Sequence, residues 1–175
     1  MSLLRRAKGD QRGAAAVEFA LIAPAMIGLY FGLVEVCQAV LAERKAGHVA
    51  SAVGDLVAQS TGVSSADLAD IASIGNTVMA PFPTSTLHMR VTSLSNNASG
   101  VPAVTWSYGS GMTKLGTGTT KTLPMTLGSG DSIIMAEVQY QFNSPLKWAL
   151  PNALTYNEVY YLRPRQTQQI SCSDC

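Results

Sequence analysis

The sequence predicts an α+β chain in which one long N-terminal helix, membrane-spanning and then amphipathic, packs on a small antiparallel sheet. Three observations carry that expectation. Residues 14–34 form an apolar run interrupted only by Glu18. Apolar residues then recur at helical spacing through Ala46, Val49, Ala50, Val53, Leu56 and Val57. From Thr86 onward the pattern changes to the alternation of strands. A length of 175 residues suits one domain plus an appendage.

The apolar run is about 21 residues, or roughly 31 Å of helix, which matches the hydrocarbon core of a bilayer. Charge is divided around it. Residues 1–13 hold Arg5, Arg6, Lys8 and Arg12 against Asp10, a net of +3, while eight basic and ten acidic residues leave the remainder at −2. A basic flank stays in the cytoplasm, so the chain after Glu43 is expected to emerge beyond the inner membrane. The Lys and Arg residues after position 45 are scattered singly, which argues against a nucleic-acid partner.

A basic start followed by an apolar run admits a secretory signal, a permanent anchor or a processed leader. A secretory signal has an apolar core of about 7–15 residues and is cut after it. This run is longer and carries an acid. A plain anchor requires neither Gly13 between the basic residues and the span nor Glu18 near its start. An unpaired carboxylate at membrane depth costs a few kcal/mol, so Glu18 either finds a cationic partner or snorkels to the interface.

The basic leader, Gly13, four small or apolar residues and then Glu18 resemble the cleavage site of a type IV prepilin. The stretch GAAAVEFALIAPA resembles, more narrowly, the TadE/TadG-like minor pilins of the tight adherence (Tad) pilus. The resemblance implies a type IV pilin-like fold and a cut by a prepilin peptidase between Gly13 and Ala14. It gives Glu18, with Phe19 beside it, a role in subunit recruitment, because the new α-amino group of Ala14 and the Glu18 carboxylate stand at i, i+4, or meet across staggered subunits. The implied partners are the peptidase, other pilins, the pilus assembly platform and the inner membrane. The implied division is a cytoplasmic leader over 1–13, a transmembrane and assembly helix over 14–41, and a periplasmic or extracellular α+β head over 42–175. The competing reading is an uncleaved membrane-anchored adhesin or envelope-binding module.

Within the span, Pro24 removes a backbone donor and is expected to kink or loosen the helix. Gly28 and Gly32 form a GxxxG pair that suits close helix packing. Glu35, about 26 Å beyond Glu18 at 1.5 Å per residue, is expected to reach the outer headgroups and be solvated there. Cys37 reads as a small buried side chain. Gly47 and Gly54 weaken intrinsic helicity in the amphipathic half.

A second, shorter helix is expected after Gly62, capped by Ser64 or Ser65, with Asp67 in its first turn and its end near Met79. Thr86–Leu94 alternates around Leu87, Met89 and Val91, with His88 and Arg90 exposed; Val104, Trp106 and Tyr108 alternate after a turn at Asn96–Gly100. Gly109–Gly130, rich in Gly and Thr, reads as a long exposed loop. Its Gly111–Gly116 spacing lacks the GK[ST] of a phosphate loop. Ser132–Phe142 reads as the strongest strand, with Ile134, Ala136, Val138, Tyr140 and Phe142 on one face, and Thr155–Leu162 supplies another.

Cys172 and Cys175 close the chain as C-x-x-C. A zinc site needs a second ligand pair, and His48 and His88 lie far away, so no metal and no cofactor are expected. A small disulfide is the default for such a pair in an oxidising periplasm. With two histidines and no nucleophile–base signature, the chain is expected not to be an enzyme and to have no small-molecule substrate.

Overall fold

The computed structural model describes residues 12–175, so Arg5, Arg6, Lys8 and Asp10 of the basic leader lie outside the described residues. The described chain divides into two compact units: helix residues up to Gln38 together with Ser144–Asn152, and Ala39–Asn143 together with Ala153–Cys175. Helix α1 (Arg12–Ala58) contributes to both, and its helical assignment passes unbroken through Pro24.

In the second unit α1 buries Ala39, Ala42, Ala46, Val49, Ala50, Val53 and Val57, the stripe expected of an amphipathic segment. The short strand β1 (Gly62–Val63) leads into helix α2 (Ser65–Met79). Ser64 is the N-cap. Its hydroxyl accepts from the Asp67 N–H at 3.2 Å, and the Asp67 carboxylate accepts from the Ser64 N–H at 2.9 Å, a reciprocal capping box. The bonds from Ser64 hold the Asp67 carboxyl below its ordinary range. A depressed folded value means that this contribution is present above the unfolded range and is lost as pH falls through the folded value.

The sheet consists of β2 (Leu87–Asn96), β3 (Pro102–Ser110), β4 (Ser132–Phe142) and β5 (Leu154–Leu162), antiparallel throughout in the order β3-β2-β4-β5. Register places Leu87 opposite Tyr140, Met89 opposite Val138 and Val91 opposite Ala136, which gathers these buried side chains on one face. The helices cover that face, and glycines set the approach. A Cβ on Gly54 of α1 would collide with Leu162 and lie 3.1 Å from the Ala136 Cβ. One on Gly75 of α2 would lie 2.8 Å from the Met89 sulfur and 3.2 Å from Val49 and Val53 of α1. The loss of helix propensity at Gly54 is offset by contact that a larger residue would prevent.

The opposite face is also covered, by a Gly109–Gly130 segment that is itself exposed over most of its length, as expected of a loop. Leu94, Val104, Ile133 and Met135 form a buried cluster against which Leu115, Leu123 and Leu127 of that segment pack, together with Tyr161. The segment runs back along β3, where the Gly118 N–H donates to Val104 O at 2.8 Å and the Val104 N–H donates to Thr119 O at 2.9 Å. His88 and Arg90 are accordingly half-buried. Arg90 forms a two-pronged pair with Glu137 at 2.6 and 2.8 Å and donates to Thr113 O at 2.9 Å, tying the segment to the sheet. Gly111 has φ 76°, and a side chain there would collide with His88.

The C-terminal tail adds β6 (Ser171–Cys172), parallel to β1, and the Trp106 indole N–H donates to Ile170 O at 2.7 Å. Replacing Gly54 with Val is expected to destabilise the sheet unit by about 1–3 kcal/mol through overpacking against Leu162 and Ala136. Thermal unfolding of the detergent-solubilised protein followed by near-UV dichroism measures this. An unchanged transition would show that the helix can move off the sheet.

Candidate functional site

The first unit is an apolar helix with very little protein packed against it. Its mean hydropathy reaches 1.9 over an 18-residue window that is 0% buried, so it is long and apolar enough to cross a membrane. Phe19 is 72% exposed and Leu21 74%, and Val17, Ile22, Met26, Leu29 and Leu33 are exposed as well. Such a surface in water would be an association liability; in lipid it needs no partner.

Gly13, Ala14, Glu18 and Phe19 lie on the exposed first turns of this helix. No ion pair to Glu18 occurs among the described residues. The Cα of Gly13 has open space around it: a Cβ there would meet nothing within 4 Å. Pro24 is exposed on the same rod.

Gly28 and Gly32 face the chain's own Ser144–Asn152 segment. A Cβ on Gly28 would lie 3.3 Å from the Trp148 indole, and one on Gly32 would lie 3.6 Å from the Ala149 Cβ. The two glycines thus make a flat floor for the loop.

Glu35 anchors that loop, which corrects the expectation of a solvated acid. The residue is 1% exposed. One carboxylate oxygen accepts from the Ser144 hydroxyl at 2.6 Å and the Trp148 N–H at 3.0 Å; the other accepts from the Ala149 N–H at 2.6 Å and the Leu150 N–H at 3.0 Å. Three consecutive backbone donors converge on one side chain, with Lys147 just before them at φ 56°. A buried carboxylate without such donors would be costly; with its lone pairs filled it becomes a cross-link between α1 and a segment more than a hundred residues later. Cys37 is exposed and unpaired rather than buried. It stands two positions after Glu35 and so on another face of the helix.

The C-terminal pair is joined: Cys172 and Cys175 form a disulfide. Asp174 between them accepts from the Ser65 N–H at 2.6 Å and the Ser65 hydroxyl at 2.5 Å, adding a second acid to the N-terminus of α2. Those bonds from Ser65 hold its carboxyl below the ordinary range. Cys172, Asp174 and Cys175 cluster closely, but the sulfurs are spent on each other, so the group is a tail-to-helix fastening.

The arrangement is an exposed apolar rod, with an acid near its start and a clamped loop near its far end, and its surface is of the kind that lipid solvates. Residues 13–55 match the family described as TadE-like protein. The N-terminal region is TadE-like. Comparison with curated proteins and with solved structures returns no match. The TadE-like region begins at Gly13, takes in Glu18, Pro24, Gly28, Gly32 and Glu35, and ends within the amphipathic half of α1. The apolar N-terminal helix that this region begins is long and apolar enough to anchor the chain in a membrane.

Sequence reasoning missed the Glu35 clamp because its donors are backbone groups of a distant loop. The only available signal was the S-P-L-K-W-A-L-P segment itself, which places two prolines and exposed apolar residues outside any strand. Replacing Glu35 with Ala removes four hydrogen bonds to a charged acceptor and leaves three successive backbone N–H groups without it. The loop is expected to detach, so that trypsin cuts after Lys147 at least about tenfold faster than in the wild type, as peptide mapping would show. Equal cleavage rates would mean that the clamp does not hold the loop.

Proposed function

We propose that the protein is a minor pilin or pseudopilin that takes part in building a Tad-type pilus, non-catalytic itself, and is processed by a prepilin peptidase between Gly13 and Ala14. The observation that carries this reading is the pairing of an exposed apolar helix with Glu18, placed one turn after the Gly13–Ala14 bond in a TadE-like region. The cut removes the basic leader and creates a positive α-amino group on Ala14. Across four residues, roughly 6 Å of helix rise, that amine and the Glu18 carboxylate neutralise each other in one chain, or across two chains offset along a filament.

Membrane and filament make the same demand on the rest of the helix. The apolar side chains from Phe19 to Val34 are solvated by lipid before assembly and by neighbouring helices after it. The carboxylate is what distinguishes a recruited subunit from an inert anchor, because in a dry environment it favours a partner that brings a cation. The sheet unit is then the cargo displayed on the outer side of the inner membrane.

Two measurements test the reading. N-terminal sequencing of the protein from intact cells is expected to begin at Ala14; retention of Met1 would favour an uncleaved anchor carrying an envelope-binding or adhesive head. Glu18→Ala is expected to leave processing intact and to abolish incorporation into sheared pili, and normal incorporation would remove the recruitment role.

A further inference from the structure

We infer that the Ser144–Asn152 loop is a second membrane-contact element, which is clamped at the outer border by Glu35 and reaches with Leu146 and Trp148 into the outer-leaflet hydrocarbon beside α1. The inference rests on reading α1 as a membrane span. Trp148 is 70% exposed and Leu146 52%, yet the loop is held firmly by Glu35. Exposed apolar side chains on a rigid support mark a surface made for contact.

The geometry specifies lipid as the occupant. The Trp148 N–H bonds to Glu35, while its indole lies against Gly28, seven positions earlier and about 10 Å back along the helix axis. The indole therefore points from the clamp toward the apolar run. Tyr30 and Phe31, with ring centroids 5.6 Å apart, stand within one turn of Gly28, so three aromatic side chains collect at one level of the rod. That level lies about 6–10 Å inside Glu35, within the outer-leaflet half of the apolar run, where aromatic rings are in contact with hydrocarbon. Leu146 and Trp148 line one shallow apolar surface with Pro24, Ile27 and Phe31, continuous with the helix faces that lipid would cover.

The backbone satisfies the same requirement. Non-helical chain near lipid is tolerated only where its polar groups are filled, and the Trp148, Ala149 and Leu150 N–H groups are all taken by Glu35. Exposed Lys147, between the two apolar side chains, supplies a cation for anionic headgroups. The Glu35 clamp thus fills three of the loop's backbone donors at the membrane border.

The chain has two tryptophans, and the other, Trp106, is buried in the sheet unit and shielded from lipid, so it adds an unquenched background and the loss of emission to lipid bromine reports on Trp148. The full-length protein is reconstituted in phosphatidylethanolamine–phosphatidylglycerol vesicles whose acyl chains carry bromine either near the headgroup or near the chain end. Wild-type emission is expected to lose roughly half of the Trp148 component to bromine on the acyl chains, with bromine placed along the chain quenching more than bromine next to the headgroup, as befits an indole lying at the level of Gly28. W148F, which removes only an exposed side chain, is expected to show no quenching. The double variant Y30W/W148F reports on α1 itself. Quenching of Y30W/W148F without quenching of the wild-type Trp148 component would overturn the loop's membrane contact while leaving the span intact, and if aqueous iodide also fails to reach Trp148 it would point to a protein neighbour instead. Absence of quenching in both would overturn the span and the inference together.

Discussion

Helix α1 has to be solvated by two different media along one continuous backbone, and the rest of the structure answers that constraint. Over its first half the apolar side chains point in all directions and almost nothing in the chain covers them. Over its second half a stripe of Ala, Gly and Val is buried, while Glu43, Arg44 and His48 are exposed together with Val36, Val40 and Leu41 near its start. A uniformly apolar surface is stable in lipid and an amphipathic one against a sheet. The change between the two patterns falls near Glu35, where the chain spends a carboxylate to manage the boundary.

That carboxylate shows how magnitude decides between effects. Burying an ionised group is among the most expensive things a fold can do, and at a membrane border the surrounding medium gives little help. Four donors, three of them from successive backbone amides, reverse the balance. The same bonds solve a second problem, since the loop that provides them has no sheet or helix to satisfy its own N–H groups. Glu18, by contrast, has been left on the exposed face at the other end of the rod, where processing would bring it a cation. Two acids about 26 Å apart on one helix therefore stand in opposite environments, one filled by donors of its own chain and one exposed and, on the proposed function, awaiting a partner.

The sheet unit derives its stability from coverage on both faces. Small residues allow α1 and α2 to approach one face closely, while three leucines from a Gly/Thr-rich segment close the other. Arg90 and Glu137 would sit on a wet surface in an ordinary two-layer fold; here each is only about one-seventh exposed at the side chain, and Arg90 holds the covering segment through Thr113. The tail completes the unit by capping α2 with Asp174 and fixing that acid between two joined cysteines.

Local pattern was enough for much of this. The membrane-length helix, its amphipathic continuation, a serine cap of α2 at Ser64 or Ser65 and the β4 limits of Ser132 and Phe142 were all legible, because each depends on periodicity or on bonds within a few residues. The resemblance carried by Gly13, Glu18 and the apolar run likewise needs no tertiary information, and the TadE-like match covers that stretch. The covered second face was partly legible: SIIMA at the start of β4 is apolar at successive positions, which alternation on one face does not explain, but Leu115, Leu123 and Leu127 are too widely spaced to declare themselves. What only the tertiary structure decided are the long-range matters: that Glu35 is buried and not solvated, that Gly28 and Gly32 receive Trp148 and Ala149, and that Cys37 is exposed. The physical reason is common to all three. A side chain's environment at such positions is set by donors and surfaces more than a hundred residues away, and no local spacing encodes where the chain will return.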